Sequence, residues 1–380
     1  MLQRKNLRYE NGLLVKEKYY LGKLCVLKRT IDYKKYDTQT TTYLFGIPLY
    51  KESTKISSRL LYKCHIQESK YNHTLDANHY MSQDIANATT QNNLHDRLER
   101  LCKNLDPQSI EVVNRIINRL KLTTLSKDKS YTGVSKEEHK ALENLRDNYL
   151  TNIIKLDENL YFYNGYFIPK NPLYEASVWL YEHNMNLFST LDKIKNKNII
   201  DVGGYIGDSA IIFEKYTDKN IYCFEPVSDN YKLVQETIKL NNATKIIPIN
   251  KGLGSKKENL SIMKNGANST INNTDSSIKN KEKEQISITT LDSFVEENNI
   301  EVGFIKVDTE GFEMEFLKGA LETIKSQKPA MLLSIYHSAD DFFGIKPFIE
   351  SLNLGYSFTI HKPIDFTISG ECALYCEVRN

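Results

Sequence analysis

The sequence predicts an α/β fold, in which an open and mostly parallel sheet carries helices on both faces and ends in an antiparallel hairpin. After Leu156, five short apolar runs alternate with helical segments, the pattern of strands and crossover helices in a parallel sheet. The last two apolar runs have no helix between them, so they are predicted to pair antiparallel. A smaller region with a β-hairpin and helices precedes this sheet.

The predicted elements follow the chain in a regular order. The parallel strands are expected at residues 198–202, 221–224, 246–249, 304–307 and 331–335, and the terminal hairpin at 356–360 and 373–378. The helices between them are expected at 209–215, 230–240 and 313–324. This organisation predicts three regions: an N-terminal β-hairpin region at 1–55, a linker and helical region at 56–154, and the sheet domain at 155–380.

The first region contains two aromatic and β-branched runs, at residues 19–28 and 43–50, which are predicted to pair as a hairpin or small sheet. Pro48 lies in the second run and has no backbone N–H to donate. That run is therefore predicted to be an edge strand.

The second region has helical periodicity between residues 93 and 122, where leucine and isoleucine recur every three or four positions. Asp106 and Pro107 divide this stretch into two helices, with Asp106 as the N-cap and Pro107 in the first turn. Ser135 and Glu138 have the spacing of a capping box and predict the start of another helix. The predicted role of these helices is packing or partner binding, and nothing in their sequence indicates a catalytic role.

Composition narrows the class of protein. Lys and Arg number 50 and Asp and Glu 48, so the net charge of +2 gives no argument for a nucleic-acid partner. No apolar run is long enough to cross a membrane, and the charged start is unlike a signal peptide. The six cysteines are scattered without metal-binding spacing and are interpreted as structural. Together these features predict a cytoplasmic protein.

A glycine-containing turn follows the first parallel strand, in the sequence Asp-Val-Gly-Gly-Tyr-Ile-Gly-Asp from 201 to 208. A dinucleotide-binding G-x-G-x-x-G motif would need glycine where Tyr205 and Asp208 stand, so that motif is excluded. Gly203 and Gly207 bracket a turn that lets the backbone approach a ligand closely. A phosphate-binding P-loop is also disfavoured, because no Gly-Lys-Ser/Thr follows.

A carboxylate, Glu225, ends the second strand and is followed by Pro226. Such a carboxylate can accept both hydroxyl hydrogens of a ribose. Without a pyrophosphate cradle, this arrangement favours S-adenosylmethionine over a nicotinamide cofactor. In the alternative interpretation, the glycines make only a tight turn and Glu225 caps the next one. The predicted cofactor-binding residues are Asp201, Gly203, Gly204, Tyr205, Gly207, Asp208, Glu225 and Pro226.

The sequence Phe-Ile-Lys-Val-Asp-Thr-Glu-Gly-Phe-Glu at 304–313, continued by Phe-Leu-Lys-Gly-Ala at 316–320, resembles the signature of the FkbM family of S-adenosylmethionine-dependent methyltransferases. Thr-Leu-Asp-Ser-Phe at 290–294 also fits, and the two cofactor motifs stand in the expected order. The resemblance covers residues 155–380. It implies a class I methyltransferase-like (Rossmann-like) fold, whose seven-stranded sheet ends in a reversed hairpin, and O-methylation of sugars or other hydroxyl groups.

Three residues are predicted to carry the chemistry: Asp308, Glu310 and His337. Asp308 ends the fourth core strand, where open α/β sheets place their ligands. Asp308 and Glu310 are candidates for a general base and a substrate-orienting acid, or for ligands of a divalent cation. Asp308 could instead contact the cofactor or cap a helix. His337 follows the fifth strand and is a candidate general base, with a solvated loop histidine as the alternative.

The predicted function is S-adenosylmethionine-dependent O-methylation of a hydroxyl on a sugar or surface-glycan precursor. The predicted partners are a small-molecule or glycan acceptor, with a homo-oligomer or a glycan-biosynthesis protein as further candidates and no nucleic acid. The polar segment at 264–283 is a candidate lid or binding loop. The alternative function is a non-catalytic binding or assembly protein that uses a methyltransferase-like fold.

Overall fold

The computed structural model describes the backbone of residues 2–10, 13–21, 24–34, 37–44, 47–55, 75–76, 80–126, 130–263 and 283–379. It describes the side chains of residues 75–76, 82–125, 131–262 and 283–379. The predicted lid at 264–283 therefore lies outside the described residues, apart from its last position.

The chain forms the following strands and helices, in chain order. The strands are β1 (Leu2–Glu10), β2 (Leu13–Leu21), β3 (Leu24–Lys34), β4 (Asp37–Leu44), β5 (Ile47–Lys55), β6 (Leu75–Asp76), β7 (Ser130–Tyr131), β8 (Ile154–Asp157), β9 (Leu160–Tyr163), β10 (Tyr166–Ile168), β11 (Asn198–Val202), β12 (Ile221–Phe224), β13 (Ile246–Ile249), β14 (Gly252–Leu253), β15 (Glu258–Met263), β16 (Lys283–Thr289), β17 (Val302–Val307), β18 (Ala330–Ser334), β19 (Ser357–His361) and β20 (Ala373–Glu377). The helices are α1 (Tyr80–Ala88), α2 (Leu94–Cys102), α3 (Pro107–Ser126), α4 (Lys136–Asn148), α5 (Ala176–Trp179), α6 (Leu191–Ile194), α7 (Asp208–Phe213), α8 (Ser228–Asn241), α9 (Leu291–Asn298), α10 (Glu313–Lys318), α11 (Leu321–Gln327) and α12 (Ala339–Ser351).

The chain divides into two compact units, residues 1–74 with 146–173 and residues 75–145 with 174–380. These units do not follow the predicted boundaries after residues 55 and 154. Whether the regions 1–55, 56–154 and 155–380 fold as separate domains stays a prediction.

The first unit contains a five-stranded antiparallel sheet in the order β1-β2-β3-β4-β5 and a three-stranded sheet in the order β10-β9-β8. The runs at 19–28 and 43–50 do meet in this small sheet, where Leu27 and Lys28 of β3 pair with Leu44 and Tyr43 of β4. Each run is nevertheless divided between two consecutive strands. Each run contains a glycine, Gly22 or Gly46, and glycine disfavours a continuous strand. Pro48 does lie in an edge strand, β5, as predicted.

The second unit is built on a seven-stranded sheet in the order β13-β12-β11-β17-β18-β20-β19. The first five strands pair in parallel, and β20 pairs antiparallel with both β18 and β19. This confirms the predicted class I methyltransferase-like sheet with its terminal antiparallel hairpin. The order reverses direction between β11 and β17, so a crevice opens beside the carboxyl ends of these two strands.

Strand β17 shows why the apolar runs predicted the sheet well. All six of its residues are buried, as expected for a central strand with helices on both faces. The predicted helix at 313–324 is instead two helices, α10 and α11, which are separated at Gly319. A Cβ atom on Gly319 would lie 1.9 Å from the carbonyl oxygen of Gly254, so this position requires a glycine.

Helices α1 to α3 pack into the same hydrophobic core as the large sheet. Leu101 and Val113 are fully buried and belong to one cluster with Val307 and Met331 of the sheet. The Asp106 carboxylate accepts a hydrogen bond from the Ser109 backbone N–H at 2.9 Å, which confirms the predicted N-cap. The helical region therefore covers one face of the second unit.

The capping box at the start of α4 also forms. The Ser135 N–H donates to Glu138 Oε2 at 2.8 Å, and the Glu138 N–H donates to Ser135 Oγ at 3.2 Å. Within the described part of the chain, none of the helices combines the length and the hydrophobicity needed to span a bilayer.

Candidate active site

A solvent-open cleft lies at the carboxyl ends of β11, β12 and β17. Its polar lining includes Glu225, Asn230, Asp308 and Glu310. Its apolar wall comes largely from the small sheet β14-β16-β15 and from the loop before α10, through Leu253, Ile262, Ile286, Ile288 and Phe312. One side of the cleft is thus apolar and the other carries carboxylates, as is typical of small-molecule sites.

The glycine turn after β11 forms the floor of this cleft. Gly203 and Gly207 both have φ of +79°, in the left-handed region that favours glycine. A Cβ atom on Gly203 would lie 1.8 Å from the carbonyl oxygen of Asp308. The turn therefore packs directly against the end of β17, and this close approach requires glycine at 203. The Thr237 hydroxyl of α8 donates to the Ile206 carbonyl at 2.6 Å and fixes the far side of the turn.

Glu225 is held by backbone groups. The Tyr205 N–H donates to Glu225 Oε2 and the Val227 N–H donates to Glu225 Oε1, both at 2.8 Å. Burial raises the pKa of Glu225 to about 7, although these two hydrogen bonds oppose the rise. The Asn230 amide also donates to Oε1, at 3.5 Å, so the further lone pair that can accept a ligand hydroxyl is on Oε2, and the long contact to Oε1 can give way to a second hydroxyl. The side chain therefore presents two acceptors in a fixed orientation at the edge of the cleft.

A buried lysine lies behind the turn. Lys306 Nζ donates to the Gly203 carbonyl at 2.9 Å and lies 3.4 Å from Asp201 Oδ1. Burial alone lowers the pKa of Lys306, but the carboxylates of Asp201, Asp308 and Asp208 raise it above its usual value. Lys306 is therefore a permanent cation that neutralises the buried Asp201 and ties the turn to β17.

Four ionisable side chains meet at the ends of β17 and β18. His337 Nδ1 lies 2.9 Å from Glu313 Oε1, and His337 Nε2 lies 3.3 Å from Asp308 Oδ1 and 3.9 Å from Glu310 Oε1. Glu313 Oε1 also accepts a hydrogen bond from the Thr309 N–H at 2.7 Å. The imidazole is 3% exposed and stands between three carboxylates.

This arrangement determines the charge of His337. Burial alone lowers the pKa of His337, but Glu313, Glu310 and Asp308 raise it to about 10. An imidazole that is already protonated at neutral pH cannot accept a proton from a substrate. The three carboxylates therefore favour a protonated imidazole beside Asp308, and the general-base role of His337 stays a prediction.

Glu310 differs from His337, because its surroundings favour the neutral form of its side chain. Its φ of +56° is unusual for a non-glycine residue, and such strain is often found at functional sites. Burial raises the pKa of Glu310 to about 8, opposed by His337 and reinforced by the neighbouring carboxylates. Near neutral pH its carboxyl group can therefore hold a proton and donate a hydrogen bond into the cleft.

A divalent cation does not fit this cluster well. One ligand atom from each of Asp308, Glu313 and His337 lies within 4.8 Å of the others, which is a spacing that metal sites use. However, both ring nitrogens of His337 already face carboxylate oxygens. The predicted cation stays a prediction.

Tyr336 connects the cluster to one more carboxylate. Its hydroxyl lies 3.4 Å from Asp308 Oδ1 and 3.2 Å from Glu371 Oε1. Burial raises the pKa of Glu371 to about 7, and the charge of Asp308 adds to the rise. Asp308 is therefore flanked by an imidazolium on one side and by a tyrosine–glutamate pair on the other.

The structure brings only part of the predicted site into the cleft. Among the described residues, the predicted ones that line it are Gly203, Tyr205, Glu225, Pro226, Asp308 and Glu310. The predicted residues that lie behind this lining are Asp201, Gly204, Gly207, Asp208 and His337. Asp208 is buried in the first turn of α7, where its carboxylate accepts from the Ser209 N–H at 2.8 Å. The individual roles of these residues stay predictions.

Sequence reasoning missed Lys306, Tyr336 and Glu371. A signal for Lys306 was available, since a lysine between Ile305 and Val307 in an otherwise apolar strand needs a buried partner. Glu371 had no such signal, because it follows β19 in a polar loop and reaches the site only through the fold.

Comparisons with known proteins agree with this geometry. Residues 201–358 match the profile of a family described as the methyltransferase FkbM domain. A curated relative, Methyltransferase 1 of Beauveria bassiana (strain ARSEF 2860), is 25% identical over 186 residues, which cover 43% of this chain and 74% of the relative.

Two solved structures are also similar to this chain. Methyltransferase FkbM from Methylobacillus flagellatus KT matches with a TM-score of 0.48 and 17% identity, over 75% of this chain and 58% of that chain. This chain thus spans less than two thirds of that protein. A methyltransferase candidate from Streptococcus mutans, in complex with SAH, matches with a TM-score of 0.31 and 12% identity, over 50% of this chain and 94% of that chain. The family match thus identifies a methyltransferase FkbM domain at residues 201–358 of the chain.

Proposed function

We propose that the chain uses S-adenosylmethionine to O-methylate a hydroxyl group of a sugar or surface-glycan precursor. The observation that carries this proposal is the cleft itself, which has Glu225 and the Gly203 turn on one side and the Asp308 carboxylate on the other. The first side suits a nucleoside, and the second suits activation of a hydroxyl group.

The residues present fit the cofactor. Gly203 and Tyr205 of the turn line the cleft, so a ligand can lie against the backbone there. Glu225 would accept the two ribose hydroxyls, and the apolar wall with Phe312 and Ile288 would cover the adenine. When bound, S-adenosylmethionine supplies a methyl group and keeps the electron pair of the broken carbon–sulfur bond on its sulfur.

Asp308 is the proposed general base. Its side chain is 27% exposed, so it can reach a substrate, whereas Glu313 is fully buried. It accepts the proton of the acceptor hydroxyl as that oxygen forms its new bond to carbon. The His337 imidazolium and the Tyr336 hydroxyl hold the carboxylate in place, and alignment of the reacting groups is a large part of catalysis.

The sugar hydroxyl is the part of the proposal that rests on the family resemblance. The charge pattern supports it, because a carboxylate base beside protonated Glu310 offers one acceptor and one donor to a ligand that carries several hydroxyls. The cytoplasmic location, the absence of a nucleic-acid partner, and a homo-oligomer or a glycan-biosynthesis partner also stay predictions.

Isothermal titration with SAH, the demethylated product of the cofactor, tests the cofactor assignment. Wild-type protein should bind SAH, and Glu225→Ala should weaken binding at least tenfold, about 1.4 kcal/mol, because both ribose acceptors are lost. Glu236→Ala is the matched control, since Glu236 is an exposed glutamate on α8. Wild-type protein that binds no SAH, or equal affinity for the Glu225→Ala variant, would overturn the assignment.

A further inference from the structure

The five-stranded sheet of the first unit has two faces that differ in charge. Register partners in neighbouring strands share a face, and so do residues two apart along one strand. In the central part of the sheet, between its β-bulges, four rows of partners lie on one face, which we call the basic face. The rows are Lys5-Lys18-Lys28-Tyr43, Arg8-Lys16-Thr30-Thr41-Lys51, Asp32-Gln39-Ser53 and Lys34-Asp37-Lys55.

The basic face concentrates positive charge. Eight of its residues are Lys or Arg and two are Asp, a formal charge of +6, whereas the whole chain carries +2. On the opposite face, which we call the neutral face, two Arg and two Glu cancel. Its residues are Arg4, Glu17, Tyr19, Leu27, Arg29, Ile31, Tyr33, Thr38, Thr40, Thr42, Leu44, Tyr50, Glu52 and Thr54. The strands therefore separate charge by face and are not basic throughout.

Like charges stand directly opposite one another on the basic face. Lys18 of β2 is the register partner of Lys5 in β1 and of Lys28 in β3, and Arg8 is the partner of Lys16. Like charges at such positions destabilise a sheet. Among the described elements, β1 to β5 make their extensive contacts only with one another, so none of those elements packs on this face to supply negative charge. An anionic partner would relieve the repulsion.

We propose that the basic face binds the surface of a membrane that contains anionic phospholipids. The inference concerns the first unit and does not depend on the methyl transfer proposed for the second. Each Lys or Arg near an anionic bilayer raises the affinity by a factor of about five. A formal charge of +6 on one face therefore supports reversible attachment to the membrane surface without a spanning helix.

The arrangement favours a bilayer over a nucleic acid. The eight cations lie on β1, β2, β3 and β5, and the five strands span roughly 20 Å at about 4.8 Å per strand interval. The cations thus form a two-dimensional array, as the charged headgroups of a bilayer do. Seven of the eight are lysine, whereas nucleic-acid sites favour arginine. Tyr43 is the one aromatic residue in the four rows, and sheets that bind single strands stack bases on aromatic residues.

Co-sedimentation of the full chain with vesicles tests the proposal. One set of vesicles is phosphatidylcholine alone, and the other contains about one third phosphatidylglycerol, an anionic lipid. The chain should sediment with the anionic vesicles and not with the neutral ones. Raising NaCl from about 0.1 M to about 1 M should release it, because the Debye length falls from about 10 Å to about 3 Å.

A pair of double variants tests which face binds. Lys18→Gln/Lys28→Gln removes two charges from the basic face and should weaken binding to the anionic vesicles about 25-fold, a factor of about five for each residue. Arg4→Gln/Arg29→Gln is the matched control, since it removes two charges from the neutral face of the same sheet. The control should weaken binding at most about threefold, because salt screens charges that lie farther from the bilayer. Circular dichroism checks that both variants are folded.

Several results would overturn the proposal. Equal sedimentation with neutral and anionic vesicles, no binding to either, or equal losses in the two double variants would each do so. Tighter binding to polyuridylate RNA than to the anionic vesicles, lost in Lys18→Gln/Lys28→Gln, would assign the face to a nucleic acid instead. If that variant does not fold, the lipid and salt dependence of the wild-type chain still decides. Failure of the chain to bind SAH is a separate result, which bears on the proposed function alone.

Discussion

The two ends of the cleft are built in different ways. At the end of β12, Glu225 is held by two backbone N–H groups at 2.8 Å. At the end of β17, Asp308 is held by side chains, with His337 at 3.3 Å and Tyr336 at 3.4 Å. Backbone N–H groups do not titrate, whereas the imidazole and the carboxyl groups around it can gain or lose a proton. The first end therefore suits recognition of one rigid ligand, and the second suits movement of a proton.

The two ends of the cleft also require different kinds of residues. The Glu225 end needs glycine at 203, because its neighbour is the Asp308 backbone. The Asp308 end needs ionisable residues from two loops, after β17 and after β18. Variants at the Glu225 end should change the affinity for SAH, and variants at the Asp308 end should change turnover or the stability of the fold.

The largest effect is expected for Asp308→Asn. Loss of a general base typically lowers the rate by about 100-fold to 10,000-fold, while the affinity for SAH should stay near wild type. The measurement is the rate of SAH formation with a glycoside as the methyl acceptor. Asp229→Asn, at an exposed aspartate on α8, is the control. Full turnover in Asp308→Asn would remove this residue from the mechanism.

His337→Gln should reduce the stability of the fold. It leaves the fully buried Glu313 carboxylate without its counter-charge, and breaking a buried pair in this way typically costs about 3–5 kcal/mol. Urea unfolding at pH 7 measures the loss. The double variant Glu313→Gln/His337→Gln should recover most of it, since no unpaired charge remains. Equal stability of the single variant and wild type would contradict the ion-pair cluster.

The stabilities of wild type and His337→Gln should also depend on pH in different ways. The pKa of His337 is raised to about 10 in the fold, from 6.5. Its charge therefore stabilises the fold fully below pH 6.5, and this contribution is lost as the pH rises through 10. The stability gap between wild type and His337→Gln should accordingly narrow between pH 7 and pH 10. A constant gap would indicate that the imidazole is not protonated in the fold.

Gly203→Ala should cost about 3 kcal/mol of stability, from the left-handed backbone and from overpacking against the Asp308 carbonyl. Gly355→Ala is a close control, because its φ of +82° is similar and no neighbour lies within 4 Å of its Cβ position. The control should lose only about 1–2 kcal/mol. If both variants lose the same stability in thermal or urea unfolding, the close approach of Gly203 to β17 does not contribute to the cost of the substitution.

The smallest effect is expected in the pH dependence of SAH binding. Burial raises the pKa of Glu225 to about 7, so at lower pH the carboxyl group is protonated and offers fewer acceptors. Binding should weaken by about tenfold between pH 8 and pH 6, since one pKa unit corresponds to about 1.4 kcal/mol. Titrations at both pH values check this, with Glu225→Ala expected to show a flat response.

Much of this fold could be predicted from the sequence, because buried parallel strands are continuous apolar runs. The first three strands of the large sheet begin and end where they were predicted, for example Ile221–Phe224. The first unit was predicted less well, since its polar strands lack such runs. Strand β4, with Thr-Gln-Thr-Thr-Thr at 38–42, has no hydrophobic signal.

The site was predictable where it depends on local sequence. The turn at Gly203 and the carboxylate of Glu225 follow apolar strands and could be recognised from spacing. The charge of His337 could not, because it depends on Asp308 and Glu313, which are distant in sequence and approach only in the fold. Position beyond a strand end indicated a base, whereas the neighbouring carboxylates raise the pKa of His337 and favour a cation.

A crystal structure of the SAH complex tests the central claim most directly, namely that one cleft holds the cofactor at Glu225 and the reacting centre at Asp308. The account predicts both ribose hydroxyls within about 2.5–3.0 Å of the Glu225 carboxylate oxygens. It also predicts that the sulfur faces Asp308. SAH bound away from Glu225, or with its sulfur facing away from Asp308, would contradict the account.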